Sequence, residues 1–86
     1  MTHALKTSPE DFKLVKAGTK TFELRKDDRP FGMGDDILLQ EYDPQAKQYT
    51  GEELTFTIGF VFRDASCFGL KKGYCIISLK EKPDYA

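Results

Sequence analysis

In the run Gly18-Thr19-Lys20-Thr21-Phe22-Glu23-Leu24-Arg25, a lysine, a glutamate and an arginine follow directly on a helix stop. Side chains of an extended strand alternate between faces, so Glu23 and Arg25 point to one side and Phe22 and Leu24 to the other. A carboxylate accepts hydrogen bonds from amino groups, and a guanidinium donates a planar fork to carbonyls or phosphates. Side by side, the two can recognise a flat polar ligand, with Lys20 at the strand entrance leaning its long stem over the same spot. Phe22 and Leu24 are expected to face the core and hold the polar face still. The same three charges have a plainer use, as an ion-pair network bracing the strand against the charged loop at residues 26–34. Exposed pairs of that kind contribute little.

The elements that must position these residues can be read along the chain. Residues 3–6 (His-Ala-Leu-Lys) form a short strand. Ser8-Pro9-Glu10-Asp11 opens a helix: a serine cap, proline at the first position, then two acids at the positive end of the dipole. Phe12, Val15 and Leu14 supply its buried stripe to about Ala17, where Gly18 stops it. The recognition strand covers residues 20–25. A loop at residues 26–34 tucks Phe31 and Met33 toward the core, and Asp35 orders the turn at Gly34. Residues 36–42 form a strand ended by Asp43-Pro44, and Tyr49-Thr50-Gly51 is read as a turn. Residues 54–63 give the cleanest alternation, with Leu54, Phe56, Ile58, Phe60 and Phe62 on one face and Gly59 marking a bend or bulge. Residues 64–72 form a loop, residues 74–79 the last strand, and residues 83–86 a tail. About five strands and one main N-terminal helix suggest a small curled sheet closed by the helix, in the α+β class.

Composition bounds what such a domain can do. The 86 residues hold one domain and one core, and the 40% hydrophobic content argues for a packed globule. No apolar stretch approaches the roughly 20 residues of a membrane span, and the N-terminus lacks a secretory pattern. A soluble, cytoplasmic protein is expected. Cys67 and Cys75 are too few and too loosely spaced for a zinc site or a disulfide framework; Cys75 reads as core and Cys67 as a loop thiol. No metal or cofactor is implied. Thirteen basic residues against fourteen acidic ones give a net charge of −1, which disfavours generic binding to long duplexes. Nucleic-acid contact would have to come from a local patch around Lys20, Arg25, Lys26 and Arg29, joined by Lys6, Lys71 and Lys72.

The spacing Gly18-x-Lys20-x-x-Glu23-x-Arg25 resembles the signature of the ASCH domains, relatives of the PUA domain. The order of His3-x-Leu5-Lys6, a helix, the signature, Gly34-Asp35, Glu41-Tyr42 and Tyr49-Thr50-Gly51 looks like a small bacterial and phage family within that group. The resemblance implies one PUA-like (ASCH) β-barrel domain over residues 1–82, with a cleft beside the first helix. It also implies binding of single-stranded RNA or of a modified nucleoside or nucleotide. Carried over, the ligand face holds Lys20, Glu23 and Arg25, with Lys6 adding charge. Tyr42, Tyr49 and Phe31 are candidate stacking rings, since single-stranded RNA is read through splayed bases stacked on aromatics. His3 reads as an edge or core residue.

Two other functions stay open at this point. Some small ASCH proteins are amidohydrolases that remove an acyl group from N4-acylated cytidine, using a lysine-activated hydroxyl. Here that chemistry would fall to Lys20, Glu23 and Thr21. This chain has Glu23 where those enzymes carry threonine, so the carboxylate would have to act as a general base on water. A protein-interaction role, through a sheet edge or the Phe-rich loop, has no specific motif in its support.

Overall fold

The structure, a computed structural model, describes residues 1–82; the expected tail at residues 83–86 lies outside them. The elements run β1 (Thr2–Thr7), α1 (Pro9–Lys16), β2 (Phe22–Lys26), β3 (Asp36–Asp43), β4 (Gln48–Phe62), a 3-10 turn (Ser66–Phe68) and β5 (Tyr74–Glu81). They build an α+β domain in which one five-stranded sheet, ordered β1-β3-β4-β5-β2, curls into a half-barrel around the helix side of the core. β1 runs parallel to β3 and every other pairing is antiparallel.

Helix α1 forms for the reasons its sequence offers. The Ser8 hydroxyl accepts from the Asp11 amide at 3.3 Å, Pro9 occupies the first position, and Glu10 and Asp11 sit in the first turn. Gly18 takes φ +78°, and the amides of Gly18, Thr19 and Lys20 return to the carbonyls of Val15 and Leu14. This wound-up end throws the chain back toward β2. Phe12 and Val15 are buried, whereas Leu14 is exposed.

The core gathers Leu5, Val15, Phe31, Ile37, Leu39, Ile58, Val61, Cys75 and Ile77 on the concave side of the sheet. Each fully buried Ile or Leu among them contributes about 1.5–3 kcal/mol by leaving water. Met33, expected beside Phe31, is exposed. β4 is longer than its sequence reading, because Tyr49-Thr50-Gly51 belongs to the strand. The hairpin is turned instead by residues 43–47, where Asp43 Oδ1 accepts from the amides of Gln45 and Ala46.

Two strands correct the expected faces. In β4 the register against β5 shifts between Ile58 and Phe60. Gly59 marks this bulge, and a Cβ there would sit 2.8 Å from Ser78 Oγ. One extra residue exchanges the two faces of everything beyond it. Ile58 and Val61 therefore both point inward, while Phe60 and Phe62 turn out to solvent. In β2 the inversion is complete. Phe22 and Leu24, expected in the core, are 45% and 53% exposed, and Glu23 is 3% exposed. The cause is β5, which commits Cys75 and Ile77 to the core. Residues directly opposite on paired strands share a face, and the register sets Glu23 against Ile77 and Arg25 against Cys75. The polar face of β2 is thus the inner wall of the half-barrel.

Candidate functional site

The curl brings the two edge strands, β1 and β2, toward each other without a backbone ladder between them. Arginines from the β2 side span the seam. Arg25 Nη2 donates to the carbonyl of Lys6, and Arg29 Nη1 donates to the carbonyl of Ala4 at 3.2 Å. Beside the first of these bonds, between β2 and the start of α1, opens a cleft of about 460 Å³, within the range of small-molecule sites.

Glu23 and Arg25 form its inner wall. Arg25 Nε donates to Glu23 Oε2 at 2.9 Å. With its Nη2 on Lys6, the guanidinium is held at two points and its remaining donors are left over for a ligand. Glu23 Oε1 has no hydrogen-bond partner although it is sealed from bulk solvent. A buried carboxylate oxygen left unpaired is costly, because its lost hydration is not replaced. Lys20 lies on the opposite side, its ammonium 3.1 Å from Asp11 Oδ1 and 5.3 Å from the centre of the Phe22 ring. Asp11 has a double part: it is an acid in the first turn of α1, its amide donating to the Ser8 cap, and it anchors Lys20 through its carboxylate. Sequence reasoning saw only the first, since nothing local shows that the stop at Gly18 folds residue 20 back over residue 11.

Four of the expected site residues, Lys6, Lys20, Glu23 and Arg25, line this one cleft. Tyr42 lines an adjoining hollow of about 320 Å³ with Pro44, and the two hollows share Lys6, Thr7 and Ser8. The Lys6 ammonium stands 4.0 Å above the centre of the Tyr42 ring, and Tyr49 packs edge-on against that ring at 5.1 Å. Phe31, expected as a stacking ring, is buried in the core against His3 and is closed to a ligand. Thr21 precedes the strand and lines a different hollow, of about 370 Å³, between α1 and the β4–β5 strands. Lys20 borders both hollows, but Thr21 does not join the Glu23–Arg25 wall.

Two further side-chain pairs support the frame rather than the cleft. His3 is buried, with Nε2 2.9 Å from Asp35 Oδ2; the Gly32 amide donates to the same oxygen at 3.1 Å. The hydrogen bond to His3, with the Gly32 amide beside it, holds the Asp35 carboxyl below the usual carboxylate range. Asp27 receives both Nε and Nη2 of Arg63, at 2.7 and 3.0 Å. Arg63 lowers the Asp27 carboxyl in the same way and ties the loop after β2 to the end of β4. Burial pushes the Cys75 thiol up. Among the described residues, no group of three or more His, Cys, Asp or Glu side chains converges as a metal-ligand set, and no helix is long and apolar enough to cross a membrane.

No curated protein matches the chain. A family model does match, over residues 2–79, which takes in β1 through most of β5; the protein belongs to the family described as domain of unknown function DUF3850.

Proposed function

We propose that this is a PUA-like domain of the ASCH type that binds single-stranded RNA or a modified nucleotide in the cleft between β2 and α1, without turning it over. The observation that carries this reading is Glu23: the residue lines the cleft, and one of its carboxylate oxygens, Oε1, is unpartnered behind the side chains that cover it, so a ligand in the cleft reaches it by displacing them. A ligand that presents an N–H to this oxygen removes a standing desolvation cost, so part of its affinity comes from relieving the free protein. Arg25 beside it offers donors to a base carbonyl or a phosphate, and the Tyr42 hollow offers an apolar wall. The half-barrel with one helix at its seam supports the PUA-like assignment. The hydrolytic reading has less support, since Thr21 lies on another hollow and Lys20 is engaged by Asp11.

The test is a thermal-shift panel of nucleosides and nucleotides, with anisotropy titrations of short labelled RNA. Glu23→Gln keeps an acceptor for Arg25 but puts an amide group at the free position. Binding is expected to fall about tenfold to a hundredfold, the value of one charge-assisted hydrogen bond, while Tm stays equal to or above wild type. If Tm collapses with binding, Glu23 serves as a brace. If no nucleoside, nucleotide or RNA binds the wild-type protein, the proposal is wrong.

A further inference from the structure

The convex side of the sheet carries an apolar face that the cleft does not explain. Cross-strand register sets Phe60 and Phe22 on either side of Ser78, and Phe62 and Leu24 on either side of Ile76. Phe60, Phe62, Phe22 and Leu24 are all exposed, and Phe68, from the 3-10 turn, is 79% exposed next to them. The ring centres of Phe60 and Phe62 are 6.5 Å apart, and those of Phe62 and Phe68 6.2 Å. Exposed apolar residues scattered singly need no explanation, but a contiguous group marks a contact surface. The bulge at Gly59 is what turns Phe60 and Phe62 outward.

The charged side chains at the outward positions of β2 and β5 have one sign. Lys26 and Lys80 occupy exposed positions on the same sides of β2 and β5. Lys20, its charge already paired with Asp11, stands over the Phe22 ring, and Lys71 over Tyr74 at 5.6 Å. No carboxylate lies among the outward positions of β2 and β5 within the described residues. Asp27 is taken by Arg63, and Asp64 borders the face only beyond the end of β4. Pressing two copies face to face would set lysine against lysine, whereas a polyanion is complementary. The face is also continuous with the cleft, since Phe22, Leu24 and Lys20 line both.

From these observations we infer that the outer face of β2, β5 and the end of β4 is a stacking platform for single-stranded nucleic acid. One nucleotide of that strand occupies the Glu23–Arg25 cleft. The inference rests on the nucleotide-binding reading of the cleft and deepens it, making the partner a polynucleotide rather than a free nucleotide. Phenylalanine faces stack bases with little sequence preference, and lysines meet the phosphates. The ring separations are nearly twice the rise of about 3.4 Å per nucleotide in a duplex strand. Each ring therefore suits a base already parted from its neighbours, which favours a single strand over a duplex.

Fluorescence anisotropy with labelled RNA of one, four and eight nucleotides, and with a matched duplex, tests the platform on the whole chain. Affinity is expected to rise with length for single strands and to be weaker for the duplex. The double variant Phe62→Ala/Phe68→Ala removes two exposed rings and should leave Tm within a few degrees. It is expected to weaken the octamer at least tenfold and leave mononucleotide binding at Glu23 unchanged. Lys80→Gln should lower the salt dependence of octamer binding by about one phosphate contact. An octamer no tighter than the mononucleotide, or one bound equally by the Phe62/Phe68 variant, overturns the platform and leaves the cleft reading standing. A variant that loses self-association by light scattering but keeps octamer affinity gives the face to a protein partner and also overturns it. Absence of any nucleotide or RNA binding removes both.

Discussion

The guanidinium of Arg25, on one edge strand of the sheet, donates to the backbone carbonyl of Lys6 on the other edge strand. The same side chain also holds Glu23. One residue therefore closes the seam of the half-barrel and shapes the wall of the cleft.

Removing it should show both duties. Arg25→Met is expected to destabilise the fold by about 2–4 kcal/mol, because the buried Glu23 carboxylate loses its partner and the Lys6 carbonyl its donor. Adding Glu23→Gln to that variant should recover part of the loss. Urea unfolding of the two single variants and the double variant measures the coupling, and strict additivity would show that the two groups do not act together.

Acid should weaken the frame through Asp35 and Asp27. Both carboxyls are held below their ordinary value of 3.8 in the folded chain. Over the range between the folded and ordinary values the unfolded chain binds more protons, so stability rises with pH there. Their contribution is complete above the ordinary carboxylate range and is lost as pH falls through the depressed folded values. Urea midpoints between about pH 2 and pH 5 should therefore decline toward acid, and Asp27→Asn with Asp35→Asn should flatten that limb while lowering stability at neutral pH.

Gly59→Ala brings a methyl group against Ser78 Oγ at 2.8 Å. A loss of about 1–3 kcal/mol is expected from overpacking. Ser78→Ala removes the opposing oxygen and should restore most of it. If the double variant is as unstable as the single one, the backbone of the bulge rather than this contact requires glycine.

The thiols should separate cleanly under iodoacetamide. Cys67 is exposed and Cys75 is fully buried, with its thiol pushed up by burial. One equivalent is expected to react in the folded protein, and the second only as denaturant opens the core. Equal rates in native buffer would mean that β5 opens readily.

How much of this was legible in the sequence varies by element. Ser8, Pro9 and Gly18 announced α1, since caps and stops are local chemistry. The alternation of β4 was readable up to Gly59 and misleading beyond it, because a bulge leaves polar and apolar residues in unbroken order while exchanging their faces. β2 was read inside out: Phe22 and Leu24 are the apolar residues, but an edge strand takes its orientation from its partner, and Cys75 and Ile77 of β5 decided it. Glu23 and Arg25 did prove to share a face, which alternation alone guarantees. Pairs such as Asp27 with Arg63 and Lys20 with Asp11 left no trace, because they depend on how distant segments meet.

The pairing of β2 with β5 sets a schedule. The residues that shape the cleft come early, at 20–25, yet the strand that orients them is the last of the sheet. A nascent chain halted before residue 74 holds the chemistry without its scaffold, so the cleft is assembled in one late step rather than accumulating as the polypeptide lengthens.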